Sequence, residues 1–336
     1  MTRVAINGMG RIGRAALKII LDINNFELVA VNDLANIDDV IYLLKYDSVY
    51  GRYGRKVEQG SGKIMIDDKP IEYLSMKNPA ELPWKDMAVD IVFECTGIFT
   101  SREQLQQHID AGAKKVILSA PTKSADVPMV VHGVNQADAS ENIISTASCT
   151  TNCIAPVMEI ISRHFGVKKA LMNTIHAYTA TQALVDTFNP KQRRGRAAAL
   201  SFIPSSTGAA RATSKVLPQL EGKFDGMAVR GPVPVGSVTD ITVVLEKSAT
   251  VDEINRVLKE ESESDRYQGV MGFSDEQLVS ADIIMDTRGS IVDGTSTQVV
   301  DGDMVKMLSW YDNEWGYTSQ MIREAIRISE PESETV

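Results

Sequence analysis

The chain has 336 residues, enough for two domains that each bury a core. With 43% hydrophobic and 24% charged residues, its composition is that of a globular protein and excludes a disordered chain or a fibrous repeat. Its 35 Lys and Arg against 44 Asp and Glu leave a net charge of -9, which opposes a primary nucleic-acid role or broad attraction to anionic membranes.

From the start, Met1-Thr2-Arg3 runs directly into Val4-Ala5-Ile6-Asn7, and no apolar run is long enough to span a bilayer, so neither a targeting peptide nor a membrane segment is expected and the reading is cytoplasmic. Val4 to Asn7 reads as a buried strand, Gly8-Met9-Gly10-Arg11-Ile12-Gly13 as a tight turn, and Ala15-Ala16-Leu17 with Ile19-Ile20-Leu21 as a helix. The next strand is Leu28-Val29-Ala30-Val31-Asn32-Asp33. In the pattern Gly8-x-Gly10-x-x-Gly13, glycine lets the backbone approach a pyrophosphate seated on the helix N-terminus. Asp33, twenty residues beyond Gly13, can accept hydrogen bonds from a ribose and repels a 2′-phosphate. The context points to dinucleotide binding, with NAD favoured over NADP.

Further apolar runs at Val89 to Cys95, Lys115 to Ser119 and Asn142 to Ser145, with a helix from Arg102 to Ala111, predict a parallel, doubly wound sheet of the Rossmann type. After about residue 150 the texture changes. Residues 168–178, 224–246, 269–274, 289–299 and 304–311 read as longer alternating strands, with helices at 206–217 and 251–261, so an α+β domain with a mostly antiparallel sheet is expected. Tyr317 to Ile328 is helical by periodicity, and Ser329 to Val336 is acidic and expected to fray. The expected boundaries are 1–148 for the dinucleotide-binding domain, completed by a C-terminal helix at 317–336, and 149–316 for the catalytic domain.

Cys95, Cys149 and Cys153 are an odd set of thiols, expected to be reduced, and the four histidines are scattered singly, so no metal site is expected. Cys149 lies where a strand ends and an apolar-periodic helix begins, and the positive helix end favours its thiolate. Cys95 reads as packing, and Cys153 as packing or at most a secondary redox partner. His176, at the end of a strand, is a candidate base for that thiol. Arg193-Arg194-Gly195-Arg196, Pro204 to Arg211 and Arg230 put guanidinium groups and a hydroxyl-rich helix start in one half of the chain, a combination that suits phosphate.

Together, the segments Asn7 to Arg14, Ala147 to Cys153, His176 to Gln182, Pro204 to Ala210 and Trp310 to Tyr317 resemble the phosphorylating glyceraldehyde-3-phosphate dehydrogenase family, over residues 2 to about 328. The resemblance implies that Cys149 adds to the aldehyde, that His176 takes its proton, that hydride passes to NAD, and that inorganic phosphate then cleaves a thioester. It assigns Thr179, Thr181 and Arg230 to the phosphate of glyceraldehyde 3-phosphate, and Ser148, Thr150, Thr207 and Gly208 to the attacking phosphate, with Arg194 between the two. Asn7, Gly8, Gly10, Arg11, Ile12, Gly13, Asp33, Lys77, Thr96, Ser119, Asn313 and Tyr317 correspond to cofactor contacts. It also implies a homotetramer, with a loop at about 178–200 reaching a neighbouring subunit.

Four positions depart from the family pattern: Met9 replaces an aromatic residue, Gly231 replaces a bulkier one, and Thr187-Phe188 stands where NAD-specific members often carry Leu-Pro, which bears on the exclusion of NADP. The enzymatic alternatives are an erythrose-4-phosphate dehydrogenase and an arsenate-handling relative. The non-catalytic alternative is a redox sensor reading oxidant at Cys149, although such a sensor has no need of His176, both anion pockets and Asn313 together.

Overall fold

The computed structural model describes residues 1–330, and the acidic tail from residue 331 onward lies outside the described residues. The chain divides into two units, one of residues 1–130, 136–147 and 321–330, the other of residues 131–135 and 148–320.

The first unit is built on an eight-stranded sheet. Its order is Ile143–Ser145, Lys115–Leu118, Ile91–Glu94, Thr2–Asn7, Phe26–Asn32, Lys69–Leu74, Lys63–Ile66 and Val57–Gly60. The first six run parallel, as helices between strands require. The last two are antiparallel, a hairpin extension at the edge of the expected parallel sheet. The reason is local: Ser61-Gly62 and Asp67-Asp68 both hold positive φ, the geometry of two-residue hairpin turns, so this stretch folds back without a crossover helix. The helix Arg11–Leu21 buries Ala16, Leu17 and Ile20 against Val4, Ile6, Val31 and Phe93, a core completed by Met321, Ile322 and Ala325 of the terminal helix Trp315–Ser329. Each such large side chain removed from water contributes roughly 1.5–3 kcal/mol. A further helix, Ile37–Lys45, is capped by Asn36, whose side chain accepts from Asp38 N at 3.1 Å.

The second unit carries a seven-stranded sheet in the order Ile203–Ser205, Phe224–Gly231, Val167–Ala177, Ser237–Leu245, Met304–Tyr311, Ser290–Val300 and Met271–Ser274. It is mostly antiparallel, with parallel pairing where Val167–Ala177 meets Phe224–Gly231 and where Met271–Ser274 meets Ser290–Val300. The single strand expected over 224–246 is two, because Pro232 and Pro234 cannot donate to a ladder and Gly236 takes a positive φ of 86°. The helix expected at 206–217 begins later, as Ala209–Val216, since Pro204 to Ser206 pairs as an edge strand or leads out of it. Among the described residues no helix is long and apolar enough to cross a membrane.

Candidate active site

In the second unit the helix Cys149–Phe165 is capped by Ser148, whose hydroxyl accepts from Thr151 N at 3.2 Å. The turn leading to it contains Ala147 at φ 56°, a left-handed conformation for a fully buried non-glycine residue. Cys149 therefore opens the helix. His176 lies near the end of the strand Val167–Ala177, and parallel register sets it beside Arg230. Cys149 Sγ is 3.4 Å from His176 Nε2. On the other side of the ring, Nδ1 lies 2.7 Å from Ala177 O and 2.7 Å from Arg230 Nη1, which also donates to Ala177 O at 2.9 Å. The tautomer that donates Nδ1–H to Ala177 O, the carbonyl it shares with Arg230 Nη1, is the one that presents the Nε2 lone pair to the thiol. Tyr311 packs edge-on against the imidazole, and its hydroxyl meets Thr150 Oγ1 at 2.9 Å and Thr174 Oγ1 at 2.8 Å.

Burial works against the thiolate that the helix start favours. Burial pushes the Cys149 thiol up, against the charge of Arg230 and hydrogen bonds from Thr150 that pull it down. Burial, then the Arg230 charge, lowers His176 to about 3, so the imidazole is neutral. With burial holding the thiol up and the imidazole down, the pair is arranged for the proton to pass from sulfur to Nε2 as the sulfur attacks, and Arg230 favours the thiolate.

The candidate anion residues fall into separate groups. Thr179 Oγ1 and Thr181 Oγ1 are 2.9 Å apart, and Arg194 donates to Thr181 Oγ1 at 3.3 Å and to Ser205 Oγ at 3.0 Å. A cavity of about 680 Å³ beside them is lined by Lys191, Arg193, Arg194, Ser205 and Ser206 among others. Arg230 Nε is buried and has no hydrogen-bond partner among the described residues, so this guanidinium retains a donor for an anion. Thr150 is turned toward Tyr311, while Thr207 Oγ1 accepts from Ala209 N at 3.1 Å beside Gly208, the N-terminal cap of its helix. Asn313 Oδ1 accepts from Gly236 N at 3.2 Å and Ser237 Oγ at 3.0 Å, and Tyr317 is buried in the terminal helix.

In the first unit, Gly8 holds φ 97°, and a Cβ there would lie 2.7 Å from Thr96 N; at Gly13 it would lie 1.9 Å from Gly8 O. Gly10 caps the helix without a side-chain capping hydrogen bond, and among the described residues nothing lies within 4 Å of where its Cβ would stand. Asp33 closes the turn, its Oδ2 accepting from Met9 N at 2.6 Å and its Oδ1 from Ala35 N at 2.9 Å. An open helix N-terminus over a glycine cradle, with a carboxylate at the next strand end, fits the pyrophosphate and ribose of a dinucleotide. Arg11 donates to Asp47 at 2.5 Å, Ile12 packs on the core, Lys77 is exposed after the strand Lys69–Leu74, and Ser119 N donates to Glu94 O at 3.0 Å. Asn7 and Thr96 both bond the buried Glu94 carboxylate.

Two side chains were given no role from sequence. Tyr311 lies within the family-like segment Trp310 to Tyr317 but stands in a strand of alternating residues that does not single it out. Glu94 carries a local signal: it is a carboxylate inside the apolar run Val89 to Cys95, and a buried charge in a parallel strand demands partners. Cys95 stands one residue beyond its strand, and burial pushes its thiol up to about 12.

Residues 2–102 match the model of the glyceraldehyde 3-phosphate dehydrogenase NAD binding domain, and residues 148–313 match that of the C-terminal domain. The glyceraldehyde-3-phosphate dehydrogenase of Clostridium pasteurianum is 46% identical over 330 residues, covering 96% of this chain and 97% of its own. That of Streptomyces coelicolor is 46% identical over 324 residues, covering 95% and 96%. The cytosolic glyceraldehyde-3-phosphate dehydrogenase of Sinapis alba is 45% identical over 334 residues, covering 97% and 98%.

Proposed function

The chain belongs to the glyceraldehyde-3-phosphate dehydrogenase family, and on that premise we propose that it oxidises D-glyceraldehyde 3-phosphate with NAD and inorganic phosphate to 1,3-bisphosphoglycerate. The observation that carries the mechanism is the 3.4 Å approach of Cys149 Sγ to a neutral His176 Nε2. Sγ attacks the aldehyde carbon and its proton passes to Nε2, forming a C–S bond without a charged thiol at rest. The imidazolium and the Cys149 backbone N–H then stabilise the oxygen of the adduct. Bound NAD would supply the hydride acceptor for this carbon, and Cys149 would then carry the acyl group as a thioester. Phosphate attacks the thioester, the C–S bond breaks, and His176 returns its proton to sulfur.

Asn7, Gly8, Gly10, Arg11, Ile12, Gly13, Asp33, Lys77, Thr96, Ser119, Asn313 and Tyr317 are the residues we assign to the cofactor. Thr179, Thr181 and Arg230 take the substrate phosphate; Ser148, Thr150, Thr207 and Gly208 take the attacking phosphate, and Arg194 serves both. The unpartnered Nε of Arg230 and the Thr179–Thr181–Arg194 cluster support anion binding.

We also infer a cytoplasmic homotetramer with the domain boundaries 1–148 and 149–316. Leu184, Val185, Phe188, Leu200 and Phe202 are exposed on one stretch of chain, an apolar surface that a neighbouring subunit would cover. Light scattering after size exclusion gives the subunit count; a monomer refutes the assembly.

The activity is tested by kcat/KM for glyceraldehyde 3-phosphate and erythrose 4-phosphate, with NAD and NADP, each with phosphate, arsenate or neither. Phosphate-dependent preference for the triose with NAD supports the reading. Preference for the tetrose overturns the substrate, and comparable use of NADP overturns the role given to Asp33.

A further inference from the structure

Beneath the glycine turn lies a chain of hydrogen bonds whose direction is set at both ends. The Met76 backbone fixes Asn32: Met76 N donates to Asn32 Oδ1 at 2.9 Å, and Asn32 Nδ2 donates to Met76 O at 3.0 Å. Asn32 Nδ2 also donates to Asn7 Oδ1 at 2.7 Å, which turns Asn7 Nδ2 toward Glu94 Oε2 at 2.6 Å. At the other end, Trp84 Nε1–H can only donate, and it meets His108 Nδ1 at 3.0 Å. The proton of the neutral ring is therefore on Nε2, which donates to the same Glu94 Oε2 at 3.1 Å. The second oxygen, Oε1, accepts from Thr96 N at 2.8 Å and from Thr96 Oγ1. Trp84, Glu94 and His108 are completely buried, and Asn7 and Asn32 nearly so.

Every member of this network has one orientation, and Glu94 is its only carboxylate. Both oxygens receive donors alone, two of which, Asn7 and Thr96, are cofactor-side residues, while Met76 precedes Lys77, a third. We propose that Glu94 is a positioning residue for the dinucleotide site: it holds Asn7 and Thr96 in their binding geometry, and Trp84 acts through the His108 tautomer to keep Oε2 an acceptor. This rests on the cofactor reading above.

A carboxylate that only filled space would tolerate its amide isostere. A positioning carboxylate would not, because in either orientation the Nε2 of a glutamine meets a donor that cannot reverse: Asn7 Nδ2 and His108 Nε2–H on one side, or the Thr96 backbone N–H on the other. Trp84→Phe removes the bond that pins His108 Nδ1, so in the double variant the ring can place its proton on Nδ1 and accept from the new amide.

The test is calorimetric titration with NAD, alongside Tm and steady-state kinetics, on the native protein, Glu94→Gln, Trp84→Phe and the double variant. Glu94→Gln is expected to raise Kd and KM for NAD about tenfold or more with kcat changed less than about threefold, since Cys149 and His176 are not in the network. Trp84→Phe alone frees the His108 tautomer but leaves the carboxylate, to which Nε2–H can still donate, so its NAD affinity should fall by less than that of Glu94→Gln, and the double variant should recover most of the affinity lost in Glu94→Gln. Native-like NAD binding by folded Glu94→Gln, or a double variant no better than Glu94→Gln, overturns the proposal. If Glu94→Gln is insoluble, soluble NAD-binding double variant supports it and an equally insoluble one overturns it. A native protein that does not bind NAD overturns the cofactor reading and this proposal together, a result distinct from failure of the variants alone.

Discussion

Arg230 and His176 are neighbours across a parallel strand pair, and the guanidinium Nη1 stands 2.7 Å from the imidazole Nδ1. One fixed cation thus acts on both members of the reactive pair: it lowers His176 and favours the thiolate of Cys149. Replacing it with a neutral side chain of similar bulk should separate these effects from packing. In Arg230→Leu, alkylation of Cys149 by iodoacetamide should shift to higher pH, and kcat/KM for the phosphorylated aldehyde should fall about a hundredfold or more. An unchanged alkylation profile would remove Arg230 from the electrostatics of the thiol.

The neutral, buried His176 also has a consequence for acid stability. Its folded value of about 3 lies below the ordinary 6.5, so between these pH values the unfolded chain binds a proton that the folded chain refuses. Stability is therefore unaffected above pH 6.5 and falls as the pH drops below it, by up to about 1.4 kcal/mol per pH unit for one proton. Denaturation midpoints of native protein and His176→Asn from pH 7 to pH 4.5 should diverge in slope, the variant being less acid-sensitive. Parallel slopes would place the acid sensitivity elsewhere.

Cys149→Ser should lower dehydrogenase turnover at least about a thousandfold while leaving the Kd for NAD within about threefold. The other thiols are poor substitutes, since burial pushes Cys153 up to about 11 and Cys95 up to about 12. Limited alkylation followed by peptide mapping should find Cys149 modified first; early modification of Cys95 or Cys153 contradicts this order.

The glycine turn makes two predictions of opposite kind. Gly13→Ala drives a Cβ to within 1.9 Å of Gly8 O, a backbone atom that cannot swing aside, and should cost about 3 kcal/mol or more of stability. Gly10→Ala meets nothing within 4 Å, so its Tm should stay near native while its added methyl group crowds the anion cradle and weakens NAD binding. Equal thermal losses in the two variants would mean that the cradle is not what distinguishes these glycines.

The cofactor turn was legible because its information is local. Glycine is demanded at Gly8 and Gly13 by φ and by contacts, and Asp33 follows one strand later, where two backbone N–H groups hold its carboxylate. Periodicity likewise placed most strands, and Pro232, Pro234 and Gly236 were the visible punctuation that should have divided 224–246.

Cys149 and His176 were recognisable as a thiol at a helix start and a histidine at a strand end, yet their protonation states were not. Helix position alone suggested a thiolate; burial, contributed by the packed sheet and by Tyr311, keeps the thiol up and the imidazole neutral. Nor does the chain reveal that Arg230 lies beside His176, or that Trp84 orients His108 and through it Glu94. Residue order carries steric and periodic constraints over a few neighbours. Charge states depend on solvent exclusion and on partners far along the chain, and those exist only once strand register and core packing have brought them within hydrogen-bonding distance.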